Sequence, residues 1–251
     1  TLTFAGPDMY QMDDAFYTSC PVGNQDWELK MDDLRLDYLT SLGTARQVQV
    51  KFLNVPILYT PWMDFSLDDS RKSGFLAPTY AASDARGLEL MTPWYWNIAP
   101  NRDATITPRV MTKRGVQLGG EFRYMEPGYS GELGAEYLPQ DQITDTNRYW
   151  IQLRHRQQFD ARWSGSAEFE KVSDDNYFSN LSSQVGQTSL VNLARQASLN
   201  YNGGWWQANG LLQRYQTLQD PAAPIVEPYS RLPQITLTAG RDDLFSGTEL
   251  V

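Results

Sequence analysis

The sequence predicts an all-β protein. Apolar and polar residues alternate along most of the chain, and this period of two is typical of strands with one buried face and one wet face. Helical periodicity is almost absent, and clusters of Gly, Pro, Asn and Asp separate the alternating segments. The predicted fold class follows from these two observations.

Residues 1–60 are predicted to form part of a β-sandwich or jelly roll. On two of the strands expected there, apolar side chains alternate with polar ones and share a face: Trp27, Leu29, Met31, Val48, Val50 and Phe52. Prolines at 56 and 61 and the polar run 68–74 then interrupt the pattern, and proline lacks the backbone N–H that a central strand needs. We therefore predict a domain boundary, with residues 61–74 as a linker.

Beyond Gly74 the predicted strands are longer, and each is near the length that crosses a bilayer at a tilt. One face carries charged, amide and Gly residues, and the other carries aliphatic or aromatic ones, a pattern that fits a wide barrel with a polar lumen and a lipid-facing exterior. A soluble sandwich shows the same period. The strands are expected at about 75–82, 87–98, 103–111, 116–125, 131–138, 148–159, 162–172, 193–201, 205–216 and 231–239.

The connections favour the barrel. Short links are expected at 126–130, 160–161 and 202–204, and long polar links at 139–147, 173–192 and 217–230. Short turns at one end and long loops at the other are typical of outer-membrane barrels, whose aromatic residues also gather near the strand ends. About ten strands, with no closing strand, indicate an incomplete barrel.

Composition excludes two classes of protein. The 251 residues contain 21 Lys and Arg against 30 Asp and Glu, a formal net charge of −9, and no basic cluster exceeds two residues. A nucleic-acid binder needs a basic face to neutralise phosphates, so this function is not expected. No apolar run approaches the roughly 18 residues of a membrane-spanning helix, so a protein that crosses a membrane with helices is not expected either.

No catalytic or metal site is predicted. His155 is the only histidine, which leaves no choice of partners for a triad and excludes a multi-histidine metal site. Five Asp-Asp pairs occur, but none has the spacing of a calcium loop. No cofactor is expected. Tryptophans beside acidic residues leave open a secreted carbohydrate-binding sandwich, and the strand pattern leaves open a general diffusion porin.

Several segments resemble the LptD family of outer-membrane LPS-assembly proteins, also called OstA or Imp. The resemblance is carried by residues 61–78, 92–115, 120–124, 138–141, 173–178 and 229–234, which are ordered as in the family. It implies that residues 1 to about 60 are the later part of a periplasmic jelly roll, and that 75–251 are the first strands of a large antiparallel transmembrane barrel. The strand that closes such a barrel is absent, so we expect a fragment.

The resemblance implies transport of lipopolysaccharide and its insertion into the outer leaflet of the outer membrane, without enzymatic chemistry. Acyl chains would follow an apolar groove on the jelly roll, for which the six apolar residues named above are candidates. The barrel would then open sideways at a lateral gate flanked by prolines, as in the family. The residues assigned to this gate are Phe75, Leu76, Pro78, Tyr80 and Pro93.

The resemblance also implies partners. These are the lipoprotein plug LptE, the periplasmic bridge protein LptA, lipopolysaccharide and, during folding, the barrel-assembly machinery. Cys20 matches a family cysteine that forms a disulfide with one near the C-terminal end of the barrel, and a buried free thiol is the alternative. Arg109 and Arg123 are hypothesised to face the lumen, where they would offset the acidic balance of the chain.

Overall fold

The computed structural model describes residues 1–21, 26–182, 185–220, 223–245 and 248–250, and these residues are mostly in strands. Every strand pairing within them is antiparallel, so the predicted all-β class is confirmed. None of the helices in these ranges is long and apolar enough to cross a membrane. The chain divides into two compact units, Thr1–Gly74 and Phe75–Val251.

The first unit is a five-stranded sheet in which each strand pairs with its neighbours in the sequence. Its strands are β1 (Leu2–Gly6), β2 (Met9–Tyr17), β3 (Trp27–Asp37), β4 (Leu42–Phe52) and β5 (Val55–Ser66). The core contains the buried side chains of Met31, Ala45 and Val48. Ala45 and Val48 are an odd number of residues apart, which would place them on opposite faces of a regular strand. Gln47 has a positive φ of 52°, and this local kink in β4 lets both side chains reach one core.

The predicted linker over 61–74 is too long. Strand β5 continues through Pro56 and Pro61 to Ser66, so only residues 67–73 lie outside strands. The reason is the position of β5, which is the last strand in the order of the sheet. An edge strand has N–H groups that no neighbour uses, so proline is tolerated there although it is disfavoured in a central strand.

The second unit is dominated by one antiparallel sheet. The remaining strands of the chain are β6 (Gly74–Phe75), β7 (Thr79–Ser83), β8 (Gly87–Met91), β9 (Trp94–Ala99), β10 (Arg102–Met111), β11 (Gly115–Glu126), β12 (Tyr129–Asp141), β13 (Thr146–Gln158), β14 (Trp163–Val172), β15 (Asn192–Asn202), β16 (Trp206–Thr217), β17 (Arg231–Ala239), β18 (Arg241–Phe245) and β19 (Thr248–Leu250). Within the described residues the order of the large sheet is β17-β16-β15-β14-β13-β12-β11-β10-β8-β7, with β9 pairing β10 and β6 pairing β9. Two short helices, α1 (Tyr177–Leu181) and α2 (Val185–Thr188), follow β14.

Most of the predicted strands coincide with observed ones to within two or three residues, and the differences have local causes. The strand expected at 87–98 is broken at Pro93 into β8 and β9, and the one expected at 75–82 is broken before Thr79, next to Pro78. The link expected at 139–147 is wrong, since β12 and β13 extend to a turn of only four residues, 142–145. Long connections remain at 173–191 and 218–230.

The close packing of Gly43 against Phe65 generates a first prediction. A Cβ at Gly43 would overlap the Phe65 ring, which packs against the core of the first unit, so Gly43→Ala forces that ring to move. Overpacking of this kind costs about 1–3 kcal/mol, or about 5- to 150-fold in local opening. Hydrogen–deuterium exchange of the full-length protein in detergent should show correspondingly faster exchange in β4 and β5.

Gly6→Ala is the matched control, because a Cβ at Gly6 meets only Met9 Sδ at an ordinary 3.8 Å. Equal exchange rates in the two variants would contradict the packing assigned to Gly43.

Candidate functional site

The large sheet of the second unit has one face that is apolar and exposed. Side chains that project from seven of its strands on this face are 37–72% exposed: Ile106, Leu118, Leu133, Ile151, Leu199, Leu212, Ile235 and Leu237. Soluble monomeric proteins rarely leave so wide an apolar patch uncovered. The face therefore indicates contact with an apolar environment.

Aromatic residues border this apolar face at two levels. At the end with short turns, Tyr129 lies beside Tyr124 and His155, whose Nδ1 is 2.6 Å from the Tyr124 hydroxyl. Tyr137, eight residues further along β12, pairs with Tyr149. Eight residues span about 27 Å along a strand and about 21 Å along the normal of a bilayer for a tilt of about 40°, near the roughly 25 Å height of a barrel's apolar band.

The opposite face carries charged side chains in a buried network of ion pairs. Arg148 is 1% exposed, and its guanidinium lies 3.1 Å from Asp141 Oδ2 and 2.7 Å from Asp174 Oδ1. Arg114 also donates to Asp141, while Arg109 donates from Nε to Glu89 Oε2 at 2.8 Å. Burying charges is unfavourable unless they are paired, so this network requires all its partners to be in place.

Part of the connection between β14 and β15 folds onto this polar face. We call its described residues, 173–182 and 185–191, the cap. Arg109 donates to the carbonyl oxygen of Leu181 at 2.7 Å, and Arg148 donates to Asn180 Oδ1 at 3.1 Å. Two arginines of the polar face, which we also call the wall, therefore hold the last turn of α1. The Tyr177 hydroxyl donates to Glu136 Oε2 at 2.6 Å. The cap is thus tied to β10, β12 and β13 at once.

Apolar packing completes the attachment of the cap. Three buried side chains of the cap, Tyr177, Phe178 and Leu181, form one apolar cluster with residues of the sheet and of its connections. These residues are Met111, Leu138, Val172, Leu193 and Leu218. Burial and the neighbouring Glu136 carboxylate raise the pKa of Tyr177, so its hydroxyl stays protonated and remains a donor. The sequence predicts a long polar link over 173–192 and not a cap, although the spacing of Tyr177, Phe178 and Leu181 is that of one helical face.

Arg109 and Arg123, which are hypothesised to face the lumen, both project from the polar face. Arg109 is buried beneath the cap, whereas Arg123 is half exposed and donates to Asp103 Oδ1 at 2.8 Å. Their positive charges are therefore largely compensated by carboxylates of the same wall. Arg154, on the same face, has only long contacts with Glu132 and Glu168, at 4.0 Å and 3.9 Å.

The residues predicted to form a lateral gate lie along one edge of the sheet. β7 ends the order of strands, and Phe75, Leu76 and Tyr80 are exposed there. Pro78 lies between β6 and β7, and Pro93 lies between β8 and β9, so each proline coincides with a break in pairing. The Leu76 N–H donates to the Pro93 carbonyl oxygen at 2.9 Å. This edge is paired only in short segments.

The six apolar residues proposed for a groove share one face of the first unit, with a gradient of exposure. Met31 and Val48 are buried in its core, and Leu29 packs against them. Trp27, Leu29 and Val50 are half-buried, while Phe52, opposite Trp27, is exposed. Other exposed apolar side chains continue this end of the sheet: Tyr17, Val55 and Leu58.

Cys20 is a free, half-buried thiol in the first unit. The Cys20 amide donates to Thr18 Oγ1 at 3.1 Å. A hydrogen bond with the backbone of Trp27 is the largest of the interactions that lower the pKa of the Cys20 thiol, which favours the reactive thiolate. The chain contains no other cysteine, so any disulfide must involve a residue outside it.

These features define an all-β protein in which one wide antiparallel sheet separates an apolar face from a charged, capped face. Comparison with known proteins agrees with this class. The family model "LPS transport system D", LptD, matches residues 146–250. The LPS-assembly protein LptD of Nitrosomonas eutropha is 45% identical over 249 residues, with 97% of this chain and 34% of the relative covered.

Two further relatives carry the same name. LPS-assembly protein LptD of an Azoarcus species is 48% identical over 248 residues (98% of this chain, 30% of the relative), and that of Alkalilimnicola ehrlichii is 40% identical over 235 residues (94% and 31%). The chain belongs to the LptD family. It spans about a third of the length of these curated relatives.

The attachment of the cap generates a second prediction. Arg148→Ala leaves Asp174 without its ion pair and removes one partner of the fully buried Asp141, a loss that costs about 3 kcal/mol or more in a buried pair. Amide exchange in α1 of the full-length protein should accelerate on the order of a hundredfold.

Arg154→Ala is the control on the same strand, because its side chain is 56% exposed and its ion pairs are long. Such pairs contribute about 0–1 kcal/mol, so exchange in α1 should change less than about fivefold. A similar acceleration in both variants would show that Arg148 does not hold the cap.

Proposed function

We propose that this chain is part of a protein that transports lipopolysaccharide and inserts it into the outer leaflet of the bacterial outer membrane. The observation that carries the proposal is the opposite chemistry of the two faces of the large sheet. The apolar face suits the hydrocarbon of a bilayer, and the charged face suits a polar lumen. Family membership supports the same assignment, since the relatives are named LPS-assembly proteins.

The chemistry of the cargo explains the need for two surfaces. Acyl chains must avoid water, whereas a charged saccharide must avoid hydrocarbon. On the first unit, we assign the acyl chains to an apolar strip that runs from the buried Met31 and Val48 to the exposed Phe52. The half-buried Trp27, Leu29 and Val50 lie between them. On the second unit, we assign the saccharide to the charged face that carries Arg109 and Arg123.

Insertion into the membrane requires the wall to open sideways. Opening a seam costs the ladder hydrogen bonds that join its two strands, so a seam with few bonds opens most readily. The edge formed by Phe75, Leu76 and Tyr80 fits this requirement, because breaks at Pro78 and Pro93 divide its pairing into short segments. We therefore propose this edge as one side of a lateral gate.

The remaining assignments concern location and partners. We place the second unit in the outer membrane and the first unit in the periplasm. The proposed partners are the plug LptE inside the barrel, the bridge protein LptA at the first unit, and the barrel-assembly machinery during folding. Transport needs no covalent step and no cofactor at this component, so we propose no enzymatic activity.

Reconstitution tests the proposed function. Full-length protein with its partners in liposomes should transfer fluorescent lipopolysaccharide from a donor. Ion conductance without lipopolysaccharide transfer would instead identify a diffusion porin. A protein that stays soluble without detergent and binds free sugars would identify a carbohydrate-binding sandwich. Either result contradicts the proposal.

The gate generates a third prediction. Combining Pro78→Ala with Pro93→Ala supplies two backbone N–H donors where pairing is broken, and this should lengthen the ladder and strengthen the seam. Arrival of newly made lipopolysaccharide at the cell surface, followed by pulse-chase labelling, should slow. Pro139→Ala, an exposed proline of β12 away from this edge, is the control. Unchanged arrival in the double variant would exclude a role for the prolines in gating.

Cys20 generates a fourth prediction. Peptide mapping of the non-reduced full-length protein should find Cys20 joined to a cysteine outside these 251 residues, and reductant should release it. A link between distant parts of a chain stabilises it by restricting the unfolded state. Recovery of Cys20 as a free thiol from cells with an oxidising periplasm would contradict this assignment.

A further inference from the structure

A cavity of about 550 Å³ lies between the cap and the polar face of the large sheet. This volume is within the range of about 300 to 1,000 Å³ that is usual for small-molecule sites. Residues of β8 and of β10 to β14 line one side of it, and Leu181, Ser182, Gln187 and Leu190 of the cap line the other side. The cavity is thus formed only when the cap is in place.

Trp150 supplies a fixed aromatic surface in this cavity. Its Nε1 donates to Glu170 Oε1 at 2.9 Å, which sets the orientation of the ring. The ring lies across Gly134, where a Cβ would come within 2.7 Å of Trp150 Cη2. Gly134 therefore makes room for the indole to lie against the wall. An aromatic ring held in this way binds apolar ring faces without first losing rotational freedom.

Polar groups around Trp150 are placed to bind hydroxyl groups. Gln152 is 6% exposed, lines the cavity, and its amide has no hydrogen-bond partner among the described residues. An amide that lines a cavity in this way can both donate to and accept from the hydroxyl groups of a ligand. Glu136 and Glu132 add acceptors, the first already bound to Gln117 and Tyr177 and the second loosely paired.

The charge of the lining selects among ligand classes. Four carboxylates (Glu121, Glu132, Glu136 and Glu170) face two guanidiniums (Arg109 and Arg154), and Arg109 is committed to Glu89. This excess of negative charge repels phosphorylated or carboxylated groups. A metal ion is also disfavoured, because the described residues contain no group of three or more His, Cys, Asp or Glu side chains that could hold one. An uncharged polyol with an apolar ring face fits the Trp150 ring, the hydrogen-bonding groups and the acidic charge of this lining.

We propose that this cavity is a subsite for one uncharged hexose unit of a saccharide. The ring face of the hexose stacks on Trp150, its hydroxyls donate to Glu132 and Glu136, and the Gln152 amide binds a further hydroxyl. The inference rests on the proposed function, since a translocated lipopolysaccharide is what brings a saccharide to this face. It assigns the uncharged sugars to this position and excludes the phosphorylated ones.

Saturation-transfer NMR with methyl α-D-glucopyranoside tests the subsite on the full-length protein in a detergent without sugar groups, such as lauryldimethylamine oxide. We expect binding of the glucoside and none of glucose 6-phosphate. Trp150→Ala should weaken binding about tenfold or more, and Trp150→Phe should retain part of it. Equal binding of the phosphate, or binding that survives Trp150→Ala, would overturn the proposal.

Two further variants separate ligand binding from folding. Gly134→Ala displaces the Trp150 ring and should weaken binding. Gly210→Ala, on β16 and outside the cavity lining, places a Cβ that would meet only the Leu199 carbonyl oxygen at an ordinary 3.9 Å, and it should leave binding unchanged. Gln152→Ala should also weaken binding. Equal effects of the two glycine variants would contradict a role for the indole surface.

Lipopolysaccharide transfer by the same preparations distinguishes the two proposals. Transfer without glucoside binding would overturn the subsite and leave the proposed function standing. Glucoside binding that depends on Trp150, without transfer, would support the subsite and contradict the proposed function.

Discussion

The alternation of side chains across a pleated sheet is the constraint on which the second unit depends. Successive residues of a strand point to opposite faces, so a continuous register keeps two chemistries apart over the whole width of the sheet. Between β10 and β17 the antiparallel register holds with few irregularities, and residues such as Leu118 and Gln117 reach opposite sides. A slip of one residue in any pair would place charges in the apolar face. The apolar face, the polar face and the position of the cap all follow from this register.

The polar face of the large sheet contains charged side chains that are buried, and a buried charge is unfavourable unless it is paired. The chain meets this by pairing them across strands and through the cap. Asp141 accepts from both Arg114 and Arg148, and Arg148 also reaches Asp174 in the cap. Such a network adds little net stability but is costly to break, so it specifies one arrangement of the cap. A defined cavity with a fixed Trp150 is the result.

The breaks in strand pairing next to prolines lie at one edge of the large sheet. The centre of the large sheet is paired continuously, whereas its β7 edge is divided by Pro78 and Pro93. In the first unit, prolines are likewise accepted in β5, the last strand of its sheet. A continuously paired centre and a weakly paired edge are what the proposed lateral gate would need.

The sequence by itself determined the all-β class, the face of each long strand and the positions of most strands, because alternation and turn residues are local signals. It also placed Arg109 and Arg123 on the polar face by parity alone. Only the tertiary structure decided that β5 continues to Ser66, that 142–145 is a tight turn, and that the cap covers the wall. The contacts that hold the cap join residues far apart in the chain, such as Arg86 and Ser182, which are 96 residues apart. No local sequence pattern encodes these contacts, because they depend on how many strands lie between the two residues and on the register of each strand pair.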